Sequence, residues 1–201
     1  MFNRFKAVLI VLVGALVWFE ASADQLVGST NKAMVLQSNG DVIGWGSNNR
    51  SSNYLSLPDN MVSISTPELL TEISNEDNLQ LSSVGNISLL LRRDGSVWTW
   101  GDAKRIFIEG GTSTPAPEQV TGLPSNIIAV SAGHGHGLAL TSGGKVWSFG
   151  TSFGGTAPIE VYGISDIIAI QAGSTTAYAI KSDGSLWAWG ETSSGRLGVA
   201  D

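Results

Sequence analysis

Four stretches of this chain align with one another without gaps, and their shared pattern leaves few folds open. They read GSTNKAMVLQSNGDVIGWG (28–46), SVGNISLLLRRDGSVWTWG (83–101), AGHGHGLALTSGGKVWSFG (132–150) and AGSTTAYAIKSDGSLWAWG (172–190). Each is an apolar run, a turn ending in Gly, and a second apolar run ending in an aromatic residue followed by Gly, or in Trp45-Gly46 for the first. The turn dipeptides Asn39-Gly40, Asp94-Gly95, Gly143-Gly144 and Asp183-Gly184 accept positive φ, so each stretch is expected to be a tight β-hairpin. Side chains alternate along a strand, which puts Ile43 and Trp45, Trp98 and Trp100, Trp147 and Phe149, and Trp187 and Trp189 on one face, with Val42, Val97, Val146 and Leu186 on the other. Both faces are apolar, so each such strand is expected in a sheet stacked between two neighbours. Six of the seven tryptophans are thereby assigned to packing between sheets rather than to a ligand platform. Truncating one of them, Trp187→Ala, is expected to cost about 3–5 kcal/mol.

Two further signals recur between the hairpins. Pro67-Glu68-Leu69-Leu70, Pro117-Glu118-Gln119-Val120 and Pro158-Ile159-Glu160-Val161 each read as a Pro-led edge strand, because Pro cannot donate to a ladder. A continuous apolar run follows, NIIAVSA (126–132) and DIIAIQA (166–172), with LQLSSV (79–84) as the weaker copy. A full unit therefore has about four strands. The turn glycines Gly40, Gly95, Gly144 and Gly184 are 55, 49 and 40 residues apart, the period of a propeller blade and not of a helical solenoid. A content of 25 Gly in 201 residues, with charged residues at only 14%, agrees with short strands joined by many turns.

The pattern A-G-x-x-H-x-L-A-L-x-x-D-G-x-V-x-x-W-G resembles the regulator of chromosome condensation repeat. Its third copy here carries His136-Gly137-Leu138-Ala139-Leu140, and Gly195-Arg196-Leu197-Gly198 after the fourth is similar to the Gly-Gln-Leu-Gly signature of that family. Lys32, Ile87 and Thr176 stand where the family has its His, and Gly44 stands where a larger residue is common. The resemblance covers nearly all of residues 25–201 and implies an all-β fold, a β-propeller of about four four-stranded antiparallel blades, partial relative to the family's seven. It implies little about function, since that family includes a nuclear nucleotide-exchange factor, ubiquitin-ligase modules and a secreted bacterial inhibitor of β-lactamase.

The N-terminus narrows that range. Arg4 and Lys6 precede an apolar run, Ala7 to Phe19, and then Ala21-Ser22-Ala23, the three parts of a secretory signal peptide. Residues 1–23 are expected to be removed after Ala23, leaving residues 24–201 as one repeat domain that is secreted or periplasmic and not stably inserted in a membrane. The competing reading, an uncleaved anchor, is disfavoured because a bilayer core needs about 20 apolar residues. Cleavage takes away Arg4, Lys6 and Glu20 and makes an acidic chain more acidic, from a net charge of −6. Acidity repels phosphate backbones, and the pairs Arg92-Arg93 and Lys104-Arg105 are too small for a nucleic-acid footprint, so no nucleic-acid partner is expected. There is no cysteine, which excludes disulfides and thiolate metal sites.

Motifs for chemistry are sparse. His134-x-His136 could supply two metal ligands, but the family places a structural His at the second position, and neither a metal nor a cofactor is expected. No Gly-x-Ser-x-Gly elbow or Walker-type phosphate loop occurs, so no catalytic residues are assigned and the chain is read as not an enzyme. Propeller partners contact loops, and the loops after each aromatic-Gly are equivalent by repeat. Within or beside them Arg50, Tyr54, Lys104, Arg105, Phe153 and Arg196 are side chains of the kind that anchors interfaces. The expected function is an extracytoplasmic protein-binding scaffold; the alternative is a glycan-binding or glycan-active propeller with an aromatic-lined central channel. The fourth unit stops at Asp201, before an edge strand of its own. That leads to the expectation of a fragment of a longer gene or of self-association through an open last blade, with SLWAWG (185–190) as an uncovered edge.

Overall fold

In the computed structural model of the chain, residues 8–12, 15–19, 23–28, 32–47, 63–71, 73–85, 87–101, 107–108, 114–151 and 155–198 are described. Strands β1 (Val8–Leu12) and β2 (Ala15–Phe19) pair antiparallel by themselves. Then come four antiparallel sheets. The first holds β3 (Ala23–Gly28), β4 (Lys32–Gln37), β5 (Val42–Ser47) and β6 (Ser63–Leu69); the second β7 (Asn78–Val84), β8 (Ile87–Arg92), β9 (Val97–Gly101) and β10 (Thr114–Gln119). The third holds β11 (Ile127–Ala132), β12 (Gly137–Thr141), β13 (Val146–Gly150) and β14 (Gly155–Glu160). The fourth holds β15 (Ile167–Ala172), β16 (Thr176–Lys181) and β17 (Leu186–Gly190), three strands among the described residues. Strand order follows chain order in every sheet, and the blades are stacked without closing a ring. The first strands of successive blades, β3, β7, β11 and β15, pack against one another, which makes them the innermost, and the Pro-bearing β6, β10 and β14 lie at the outer edge as their sequences suggest.

The alternation expected on the second hairpin strand holds. Leu89, Leu91 and Val97 face blade three and join Val130, Ala132, Ala139 and Phe149 in one buried cluster. Leu81, Leu90 and Trp100 face blade one and meet Met34, Leu36, Val42, Leu70 and Ile73. Blades three and four share a third cluster, with Leu138, Leu140 and Val146 against Ala177 and Ala179. Each core is thus a junction between two sheets. Polar side chains of one inner strand stitch it to the next: Gln25 accepts from the Leu81 N–H (2.6 Å), Gln80 from Val130 (2.8 Å), Ser82 from Ala132 (3.0 Å) and Ser131 from Ala172 (2.8 Å). These bonds satisfy backbone donors that no ladder reaches.

Three sequence expectations need correction or refinement, while the tight hairpins form as expected, with a turn form that the sequence left open. Gly40, Gly95, Gly144 and Gly184 have positive φ, at +88°, +82°, +73° and +85°. Gly95 N–H donates to Arg92 O (3.0 Å) and Arg92 N–H to Ser96 O (2.9 Å), a three-residue type I turn with a bulge, repeated in all four blades. The Asp94 carboxylate holds this form by accepting from the Ser96 hydroxyl and N–H, which keeps its pKa low, and Asp183 does the same with Ser185. Of the three, the first is that blade one has an innermost strand, β3, in residues left unassigned by the repeat pattern. Second, the two aromatics of each strand are unequal. Trp45, Trp100 and Phe149 are buried, while Trp98 and Trp147 are half-buried nearer the outer rim. Trp98 is capped there by Arg92, 4.2 Å from its ring centre, and donates to Ser96. Third, Trp187 is 41% exposed: it lies on the side of blade three with Ala179, and among the described residues no fourth strand covers its edge.

Candidate protein-interaction face

In a meander of antiparallel strands, the connection from first to second strand and the loop from third to fourth emerge at the same end. Blades one to three therefore have both connections at one face of the propeller. The stretches between their third and fourth strands, 48–62, 102–113 and 151–154, account for most of the shortening of the repeat along the chain, while the hairpins keep a constant length. Of the interface candidates, Arg50, Tyr54, Lys104, Arg105 and Phe153 lie outside the described residues. Arg196 lies within them.

Arg196 is tied to its own chain. Its guanidinium meets Glu191 at 2.6 Å and the Thr175 hydroxyl at 3.1 Å, and its carbonyl accepts from the Tyr178 hydroxyl at 2.9 Å. Thr175 and Ser193 also donate to Glu191. These hydroxyls, followed by the Arg196 charge, hold the Glu191 carboxyl below its usual range. The cluster folds the 3-10 turn Ser193–Gly195 back over β16, so Arg196 orders this loop rather than offering a free cation.

Phe107 and Ile108 are contacts that the repeat alignment did not reveal. Phe107 comes from the loop after β9 of blade two, yet it is buried edge-on against Phe149 of blade three, centroids 5.0 Å apart at 65°. It anchors that loop two positions after Arg105. Three apolar residues between charged ones, in RIFIEG, were the available signal. Gly137 makes room for the same ring, since a Cβ there would lie 2.6 Å from Phe149.

The position held by the family's His is a latch between blades. Lys32 is buried and donates from Nζ to Ser88 Oγ of blade two at 2.6 Å. Burial pulls its pKa down to about 7. Ile87 fills the place with apolar contact in the next junction. His136 is buried against Gly133, where a Cβ would lie 2.3 Å from its ring; burial lowers its pKa, partly offset by a hydrogen bond with the Thr176 backbone. His134 is exposed and sits over Gly85. The two histidines thus have separate surroundings, one in a junction and one on the surface. Among the described residues there is no group of three or more His, Asp or Glu able to hold a metal ion.

Residues 127–155 and 167–196 match the regulator of chromosome condensation (RCC1) repeat. They cover most of blades three and four. The Rho GTPase-activating protein gacGG of Dictyostelium discoideum is 31% identical over 106 residues, 53% of this chain and 8% of that protein. Among solved structures, human WBSCR16 superposes with a TM-score of 0.75 at 18% identity, covering 91% of this chain and 51% of its own. Yeast RCC1 (Prp20), solved with Kap60 bound to it, gives 0.69 at 20% identity, covering 88% and 45%. This chain spans about half the length of these solved relatives and a small part of the curated one. Two of its repeats thus match the RCC1 repeat, and its stacked antiparallel sheets have the β-propeller fold of these solved structures.

Proposed function

We propose that this chain is a non-catalytic, extracytoplasmic scaffold that binds another protein through the loop end of its blades. The observation that carries this reading is the division of labour within the repeat. Hairpins and junctions are constant and buried, and length variation is concentrated in loops that share one face. A rigid frame carrying variable loops is the usual arrangement for a binding surface. The yeast relative bound to Kap60 is a protein-binding example of the fold. Export rests on the N-terminal composition. Cleavage after Ala23 would leave Asp24–Gly28 of β3 in place, including Gln25, which bridges to blade two. The acidic surface charge argues for a protein rather than a nucleic-acid partner.

An aromatic-lined channel for glycans is less well supported. The innermost strands read ADQLVG, NLQLSSV, IIAVSA and IIAIQA, without an aromatic residue. Affinity capture with the exported chain, from the secreted and envelope fractions of its source cells, should recover one partner protein in stoichiometric amount. A triple variant, Arg50→Ala with Lys104→Ala and Arg105→Ala, should lose that partner at an unchanged unfolding midpoint. Retention on polysaccharide with no protein recovered would replace this reading with the glycan one. Mass spectrometry of the exported chain should find Asp24 at its N-terminus.

A further inference from the structure

The tight turns of the blades share a form but not a chemistry. In blades two and four the residue before the turn glycine is an acceptor: Asp94 takes the Ser96 hydroxyl and N–H, and Asp183 those of Ser185. Blade one inverts the pair. Asn39 donates from Nδ2 to the Asp41 carboxylate at 2.8 Å, while its Oδ1 accepts from the Asp41 N–H at 3.1 Å. Position 39 has to supply a donor here, because the residue two positions on is already the acid.

Asn39 is also the one asparagine in the sequence followed by Gly. The carbonyl carbon of an Asn side chain is open to attack by the main-chain nitrogen of the next residue, and Gly, with no Cβ, leaves that nitrogen unshielded. The Asn39 side chain is exposed. What restrains the reaction is the turn itself. Gly40 N–H donates to Gln37 O at 2.9 Å, and blade two clasps the Gly40 carbonyl with Asn78 Nδ2 at 2.9 Å and the Asn75 N–H at 3.2 Å. The fit is close, since a Cβ on Gly40 would lie 2.0 Å from Asn75 O. The Asp-Gly turns are poorer substrates. Hydrogen bonds from Ser96 and Ser185 hold the Asp94 and Asp183 carboxyls below their usual range, and an ionised carboxylate resists the same attack.

We propose that Asn39 is a site of spontaneous deamidation, and that the modification releases the clasp between the turn of blade one and blade two. When the turn opens, Gly40 N gives its proton to solvent base and bonds to Asn39 Cγ. The Cγ–Nδ2 bond breaks, and the nitrogen takes a proton from water and leaves as ammonia. Water then opens the cyclic imide at either carbonyl, giving aspartate at position 39, or isoaspartate with the main chain running through Cγ. Either product sets a second carboxylate against that of Asp41, and the donor that joined the two side chains is gone. Isoaspartate also lengthens the main chain ahead of Gly40, which has no room to shift against Asn75. The turn that re-forms cannot seat Gly40 as before.

The test is peptide mapping of the full chain after storage in mildly alkaline buffer. Mass spectrometry of the tryptic peptide 33–50, with fragmentation to tell Asn39 from Asn48 and Asn49, should find Asn39 converted faster than Asn75, Asn78 or Asn126. Isoaspartate and aspartate should both be present. In urea above the unfolding transition the rate at Asn39 should rise about tenfold or more, because Gly40 N–H is then free of Gln37. Asn39→Gln, whose longer side chain closes the ring poorly, should suppress the reaction in both conditions. Asn39→Asp should lower the urea midpoint, and adding Asp41→Ser, which copies the Asp-Gly-Ser of blade two, should restore it. A folded chain in which Asn39 reacts no faster than Asn75 and Asn126 would overturn the proposal. So would an Asn39→Asp chain with an unchanged midpoint, or one that Asp41→Ser fails to rescue, since the two carboxylates would then not be what opens the turn.

Discussion

Val97 and Leu186 hold the same place in blades two and four, yet Val97 is 1% exposed and Leu186 68%. Trp100 is buried where Trp189 is half-buried, and Gly95 lies against the next blade where Gly184 meets open space. The local pattern is nearly identical, and both hairpins form the same turn. The difference is the neighbour. A two-stranded hairpin is marginal in water, so its strands are held by the sheets stacked on either side. In this chain the unit of stability is therefore the junction, made of two half-blades, and not the blade. Blade two has two junctions and blade four has one among the described residues.

The strongest way to break this comparison is Trp100→Ala. Trp100 sits in the junction of blades one and two with Leu36, Leu70 and Ile73, so its loss leaves a cavity that backbone strands cannot collapse to fill. Unfolding in urea should show a loss of about 3–5 kcal/mol. A smaller loss than that of the rim residue Trp98 under the same conditions would show that the junction is not where the blades are held.

Next in size is the contrast between two turn glycines at nearly the same φ. An alanine Cβ at Gly95 would lie 2.0 Å from the Ser125 carbonyl oxygen, whereas at Gly184 nothing lies within 4 Å. Both substitutions carry the left-handed backbone cost of roughly 1–2 kcal/mol, and only Gly95→Ala must also push blade three away. Its measured loss should exceed that of Gly184→Ala by more than about 1 kcal/mol. Equal losses would mean that the blades are not in contact at their turns.

The junction of blades one and two should also carry a pH dependence on the alkaline side of neutrality. Lys32 has its pKa lowered from 10.5 to about 7 by burial. The unfolded chain therefore binds this proton more tightly than the folded one between those values, and stability rises with pH across pH 7 to 10.5. The slope from this group approaches about 1.4 kcal/mol per pH unit. Lys32→Met should flatten the curve and raise stability at neutral pH. An unchanged slope in urea titrations at several pH values would show that the amine is not buried in its neutral form.

How much of this was legible in advance follows from what repeats. The hairpins, the edge role of Pro67, Pro117 and Pro158, and the opposed faces of Val97 and Trp100 are all periodic, and periodicity survives without knowledge of neighbours. Strand β3 was missed because Asp24-Gln25-Leu26 has little apolar character, its Gln being needed to bridge to Leu81. The turn form was not legible because Asp94-Gly95 suits either hairpin turn, and the Asp94–Ser96 bonds decide between them. Phe107 escaped because it serves a blade other than its own, a contact that no alignment of units contains. Of the candidate site only Arg196 could be placed, and its tie to Glu191 needs a fold-back over Thr175 that sequence spacing does not encode.

The smallest expected effect is the one the repeat pattern alone overstates. Trp187 faces blade three together with Ala179, but its outer side is open and Lys181 lies 5.9 Å from its ring centre, a distance at which cation–π attraction is weak. With 41% of its surface already in water, truncation removes only part of the transfer energy of a tryptophan. Solvent can enter the space that is left, so the cavity contribution that dominates at Trp100 is largely absent. Trp187→Ala should therefore cost roughly 1–2 kcal/mol, less than half the Trp100→Ala loss, with no change in denaturant slope. A Trp187→Ala loss as large as that of Trp100→Ala would mean that the open side of Trp187 is covered in solution.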